Sequence, residues 1–327
     1  EVIKVEAKPK TSMSKKSDKS VIEGEFVDDE DEEKKESKKE EKEEKEDHKE
    51  LLAQIDVEYE VARRYLKPKW DKWAARLRLY NNQRKDDDTI GDPLLFTIHQ
   101  TVLASLYDDK LTVSFEGRER GDDEVAENLD ILATYDFEQM GKERVDYDWI
   151  WDTAFFGRGI IQLQEFDPDT HTPVPENVDP LTFFRDPQAT SVNGDMKGKG
   201  AAQFLGREII LTHRQLKERE KAGVYHDVDQ VKDNLNFTSD TELNKRLRRE
   251  AQGYNDDLKG SVVMKGDNNS YQITEWYTYW HGKKYLVTLA NNRKLVIRCQ
   301  ELKTVGWPFV DRSLYPIAHD WDGVSIA

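Results

Sequence analysis

The fold turns on the stretch Asp146-Tyr147-Asp148-Trp149-Ile150-Trp151-Asp152-Thr153-Ala154-Phe155-Phe156-Gly157-Arg158-Gly159 and on the Val178-Asp179-Pro180-Leu181-Thr182-Phe183-Phe184-Arg185-Asp186-Pro187 that closes it. Tyr147, Ile150, Trp151, Ala154 and Phe155 recur at the i, i+3, i+4, i+7 and i+8 spacing of a helix laid against a core. Gly157 and Gly159 then supply the positive φ that ends the helix and turns the chain. After the turn Ile161 and Leu163 alternate with Gln162 and Gln164, which predicts a half-buried strand with the two aliphatic residues inward. Trp149, Trp151, Gly157, Gly159, Asp179, Pro180, Asp186 and Pro187 thus form a structural motif: a buried helix, a glycine turn, a strand and two Asp-Pro stops. Gly157-Arg158-Gly159 is not a phosphate-binding loop. Position 162 is Gln, and the order is helix then strand, whereas phosphate binding needs a strand feeding a helix N-terminus.

Outward from this stretch the composition splits in two. Residues 1–50 are nearly all charge and are expected to form a disordered acidic and lysine-rich arm, because they bury too little apolar surface to offset the entropy of ordering. Their interleaved Glu and Lys would also support a solvated helix. Residues 51–327 have the apolar and aromatic content of a folded domain. The formal net charge of −16 argues against a protein whose main task is gripping phosphates. Cys299 is the single cysteine, which excludes an internal disulfide and a cysteine zinc knuckle. No run approaches the roughly 18 apolar residues that span a bilayer.

Along the folded part, Leu66, Trp70, Trp73, Leu77 and Tyr80 step by four and three as one helical face, with Pro68 either kinking that helix or opening its second half. The Asp86-Asp87-Asp88 run reads as a solvated loop. Asp92-Pro93 opens a helix with Leu95, Ile98, Val102 and Leu106 on its core face. Leu111, Val113 and Phe115 alternate as a strand. Asp122 or Asp123 caps a helix whose Val125, Leu129, Leu132 and Phe137 face inward.

Beyond Pro187, residues 191–200 read as an exposed loop and 204–211 as a strand. Thr212-His213-Arg214-Gln215 and Ser239-Asp240-Thr241-Glu242 have the form of capping boxes. The second opens a helix whose outward Lys245, Arg246, Arg248 and Arg249 are the candidate phosphate-facing patch. A polar, mobile insertion is expected over about 226–270. Tyr271 to Trp280, Lys284 to Leu289 and Lys294 to Cys299, separated by turn residues, predict a three-stranded antiparallel meander. The fold class is therefore α+β, with several helices, a mixed strand region and this C-terminal meander.

Catalytic constellations are missing from the sequence. There is no Gly-Lys-Ser/Thr, no His-Glu-x-x-His and no Gly-x-Ser-x-Gly. Asp227 and Asp229 beside His226 read as an acidic loop rather than a metal site. No cofactor and no metal are expected.

The order of features from Leu51 to Ala327 resembles the portal, or head-to-tail connector, proteins of tailed bacteriophages. The resemblance rests on the aromatic helix ending Tyr80-Asn81 and on Asp92-Pro93 before an apolar helix and Leu111-Thr112-Val113-Ser114-Phe115. It continues through the Trp149–Phe156 helix, the glycine turn, the two Asp-Pro stops, Ile209-Ile210-Leu211-Thr212, and Tyr315-Pro316-Ile317 leading to Gly323-Val324-Ser325-Ile326-Ala327. It implies a wing domain truncated before stem and clip, with the stem helix starting at about 322. It further implies a non-enzymatic subunit of a dodecameric ring at the capsid vertex of the virion, assembled in the cytoplasm of the bacterial host. The implied partners are other copies of the chain, the terminase large subunit, capsid and scaffold proteins, a tail adaptor, and double-stranded DNA passing through without sequence-specific binding. The competing readings are another head or neck structural protein (an adaptor or minor capsid protein) and, from a different class, a metal-dependent hydrolase.

Overall fold

The computed structural model describes residues 29–81, 93–107, 113–119, 121–166, 173–195, 197–232 and 270–326. Contacts divide the chain into two units, Glu1–Lys49 and Glu50–Ala327. In the first, helix α1 (Asp29–Tyr80) has already begun. The helix thus takes in part of the span 1–50 read as a charged arm. Its Glu30/Lys34, Asp31/Lys35 and Glu41/Lys45 pairs stand at the i,i+4 spacing that supports an isolated helix.

In the second unit α1 buries Leu51, Ile55, Tyr59, Ala62, Leu66, Trp70, Trp73 and Leu77 along one face. The aromatic stripe read from Leu66 onward therefore extends back to Leu51. The helix runs through Pro68 without restarting there, although proline cannot donate the usual bond to Arg64.

Among the described residues, two antiparallel sheets of three and five strands carry most of the β part. The smaller has the order β2 (Pro173–Val178), β1 (Gly159–Phe166), β8 (Phe309–Arg312). The larger runs β3 (Phe183–Arg185), β4 (Phe204–Thr212), β5 (Ser270–Trp280), β6 (Lys283–Ala290), β7 (Leu295–Glu301). The meander expected from β5 to β7 is present, and β4 and β3 extend it. A short ladder joins β9 (Tyr315–Pro316) to β10 (Gly323–Val324). Helices α2 (Leu94–Leu106), α3 (Asp123–Gln139), α4 (Lys142–Phe156) and α5 (His213–Lys221) complete the α+β architecture.

Strand β5 is covered on both faces, which explains its aromatic density. Trp276 joins the α1 cluster on one side, while Tyr277 packs with Phe183, Leu286, Trp307 and Phe309 on the other. Tyr59 stands 5.9 Å from Trp276 and 4.8 Å from Phe184, ring centre to ring centre. Polar contacts fix the helix in register. The Trp276 indole donates to Glu58 at 2.7 Å, Thr278 donates to the same carboxylate at 2.9 Å, and Tyr59 donates to Glu208 at 3.0 Å. Burial raises the Glu58 pKa above the ordinary carboxylate value.

Several expected faces are differently placed. On β1 the inward residues are Ile160 and Gln162, and Leu163 is 45% exposed. Gln162 can be buried because its amide donates to the Tyr277 hydroxyl at 2.8 Å. On α2 the buried residues are His99 and Leu103, with Ile98 and Leu106 exposed. On α3 only Ala126 is buried, and Val125, Leu129 and Leu132 lie open. Residues 113–119 are not a strand, and the Phe115 N–H donates to Asp130 of α3 at 2.7 Å. The 191–200 loop is anchored rather than free: Val192 is fully buried and Asn193 donates to Phe309 at 3.1 Å. In the expected insertion, residues 226–232 are described and Val228 is core, beside Tyr225 and Leu216. Residues 233–269 lie outside the described residues. At Thr212 the capping box forms as expected, and it opens α5.

His99 gives a testable pH effect. It is buried edge-on among Tyr80, Trp151 and Phe155, at 5.4, 5.1 and 5.6 Å between ring centres. Burial pushes its pKa below the ordinary value. A base with a depressed folded-state pKa contributes stability above its unfolded pKa of about 6.5 and loses it as pH falls through that range. Between about pH 7 and 5 the wild type should therefore lose stability relative to His99→Leu, read as urea midpoints. Parallel curves would show that His99 does not titrate with unfolding.

Candidate functional site

The corner singled out in the sequence is built around two glycines with different duties. Gly157 caps α4 at φ 88° and donates to the Thr153 carbonyl at 3.1 Å. Gly159 does not have positive φ; its lack of a side chain is needed because a Cβ there would lie 2.6 Å from the Trp149 carbonyl oxygen. The Thr153 hydroxyl donates to that same carbonyl at 2.6 Å, closing the last turn of α4. Trp151 stacks on Phe155 at 4.8 Å.

The two Asp-Pro stops share one device. Asp179 accepts from the Leu181 N–H at 3.0 Å, and Asp186 accepts from the Gln188 N–H at 2.9 Å, each an Asx turn spanning its proline. Asp186 also accepts from the Gln203 N–H at 3.2 Å and so ties the end of β3 to the start of β4. Pro180 is buried and Pro187 half-buried.

The chain beyond β9 comes back onto this corner. Gly323 donates to the Gly157 carbonyl at 3.2 Å and Ile326 donates to the Ala154 carbonyl at 3.0 Å. Residues 322–326 are bend, strand and extended chain. Backbone groups that a helix would use internally are taken by β9 and by the end of α4.

Charged residues that the sequence reading passed over hold the same place. Trp321 is buried with Arg158 and Arg185 guanidinium groups 5.2 and 4.9 Å from its ring centre. Arg158 pairs with Asp311, which also accepts from the Val192 N–H at 3.1 Å. Arg185 reaches Asp322 at 2.7 Å and the Tyr65 hydroxyl at 2.9 Å, and Lys69 pairs with Asp322 from α1. Burial, then the neighbouring Arg185, lowers the Lys69 pKa to about 7, and burial lowers that of Arg185 to about 10.

A second node joins the sheets. Arg207 on β4 sits directly across from Glu275 on β5, at 2.7 Å, and also reaches Glu176 of β2 at 2.6 Å. Burial alone would lower its pKa, but the two carboxylates outweigh it and raise the value. The signal for these residues was an arginine inside an apolar run, as in Phe183-Phe184-Arg185, where only a nearby buried partner makes burial tolerable.

Lys245, Arg246, Arg248 and Arg249 lie outside the described residues, as do Asp86, Asp87 and Asp88. Asp229 accepts from Lys217 at 2.6 Å, and Asp227 accepts from Gln230 at 2.9 Å. No group of three potential metal ligands occurs among the described residues. A cleft of about 360 Å³ at the other side of α4 is lined by Asp148, Asp152, Asn177 and Asp179. In it Asp152 accepts from Asn177 at 2.7 Å.

Taken together, these side chains fasten one element to another. Residues 164–327 match the family described as phage SU10 portal protein, and the chain belongs to that family. No curated protein matches it. Membership makes it a structural protein of the phage portal, an oligomeric ring at the capsid vertex of the virion. The matched span takes in the five-stranded sheet, both Asp-Pro turns and Trp321, and it begins within β1, after the glycine turn. No helix among the described residues is long and apolar enough to cross a membrane.

Proposed function

We propose that the chain is the repeating subunit of a dodecameric ring that forms the channel for genome packaging and ejection and joins head to tail. It is non-enzymatic, assembles in the cytoplasm of the bacterial host with capsid and scaffold proteins, and docks the terminase large subunit and later a tail adaptor. The observation that carries this reading is the family match over residues 164–327. Two physical features support it. The net charge of −16 suits DNA transit better than grip, since each firm phosphate contact releases counterions and adds affinity. Phe96, Ile98, Val125, Leu129, Ile131 and Leu132 are exposed on α2 and α3, an apolar surface of the kind that a neighbouring subunit would cover.

Electron microscopy of the purified full-length protein, with mass measured by analytical ultracentrifugation, should show rings of twelve copies with a central hole. A monomer at micromolar concentration, or closed particles without a hole, would overturn the proposal.

A further inference from the structure

Between α1 and the returning C-terminal segment lies a cleft of about 250 Å³, bounded by Lys69, Lys72, Arg76 and Trp73 on one side and Asp322 to Ser325 on the other. Steps of three and four along α1 put Lys69, Lys72 and Arg76 on one helical face. Arg158 and Arg185 stand near Lys69 and line a neighbouring crevice that shares Asp322 with this cleft. Against these five cations the surrounding elements offer three carboxylates, Asp311, Asp320 and Asp322. Asp311 is taken by Arg158, and Asp322 is shared by Lys69 and Arg185. Lys72 and Arg76 are left without a carboxylate partner among the described residues.

Arg76 is half-buried, and burial lowers its pKa with no carboxylate to offset the cost. The depressed pKa of Lys69 reflects the same crowding, with Arg185, Lys72 and Arg158 all opposing its charge after burial itself. The Arg76 guanidinium and the Lys69 and Lys72 ammonium groups line one cleft, and such a set is best satisfied by a compact oxyanion, which accepts several charge-assisted hydrogen bonds at once.

We propose that this cleft binds a phosphate-type oxyanion, held by the Arg76 guanidinium and the Lys72 and Lys69 ammonium groups. The chemistry is shared by free inorganic phosphate and by a phosphate of a nucleic-acid backbone, and the test separates them. The full chain is titrated at constant ionic strength with inorganic phosphate, and separately with a short double-stranded DNA, by calorimetry. Saturable phosphate binding is expected, weakened at least tenfold in Lys72→Gln/Arg76→Gln but unchanged in Lys294→Gln/Lys303→Gln, which loses the same charge elsewhere. Circular dichroism and melting temperature confirm folding; should the double variant not fold, Lys72→Gln alone is compared. Competition between DNA and phosphate identifies a backbone phosphate as the ligand, and phosphate binding without competition identifies the free ion. Absence of saturation by either, or equal losses in both double variants, overturns the site.

Discussion

Replacing Arg207 by methionine is expected to lower the unfolding free energy by about 3–5 kcal/mol, the range seen when one partner of a buried ion pair is removed. The size follows from what is left behind. Glu275 is 1% exposed and its carboxylate has Arg207 at 2.7 Å. Without the guanidinium its carboxylate is left without that partner in a dry interior. Arg207→Met/Glu275→Leu should regain most of the loss, since apolar replacement of both partners removes the desolvation cost along with the attraction. Equilibrium urea unfolding at neutral pH reads both. A single variant within about 1 kcal/mol of wild type at neutral pH would mean that Glu275 reaches water.

The second large effect is expected at Gly157. A β-branched residue at φ 88° meets the left-handed penalty of about 1–2 kcal/mol. Its Cβ would also lie 2.5 Å from the carbonyl oxygen of Gly323, a backbone atom that cannot swing away, which adds about 1–3 kcal/mol of overpacking. Gly157→Val should therefore cost about 2–5 kcal/mol, or roughly 4–15 °C in melting temperature for a domain of this size. The two parts can be separated. Gly223 has φ 73° and open space around its Cβ position, so Gly223→Ala carries the backbone penalty alone. Gly157→Ala should lose clearly more than Gly223→Ala in thermal melts. Equal losses would show that residues 323–326 do not rest on the corner in solution.

These effects mark what the sequence could and could not disclose. The α1 stripe, the Thr212 capping box, the β5–β7 meander and the corner were legible because each follows from local spacing or local turn chemistry. The α3 stripe was also legible, but its apolar side is exposed and Ala126 faces inward. Periodicity defines a stripe, while the neighbour that covers it is chosen by contacts remote in sequence. On β1 the same limit inverted the assignment. Gln162 looked outward because it is polar, and only the Tyr277 hydroxyl, 115 residues away, makes its burial tolerable. Arg158, Arg185 and Arg207 were hidden for the same reason, since each lies in an apolar stretch and meets its carboxylate across the fold.

The docking of α1 on β5 has a consequence for the order in which the protein can form. Glu58 and Trp276 touch although they are 218 residues apart, and the aromatic face of α1 finds its sheet only when β5 exists. At the usual pace of translation, about 5–20 residues per second, that face waits on the order of 10–40 s after it is made. During this interval Glu58 and Tyr59 lack Trp276, whereas Trp70 and Trp73 wait only for Phe184 and Phe156, so the N-terminal half of that face is the part most prone to association before β5 emerges.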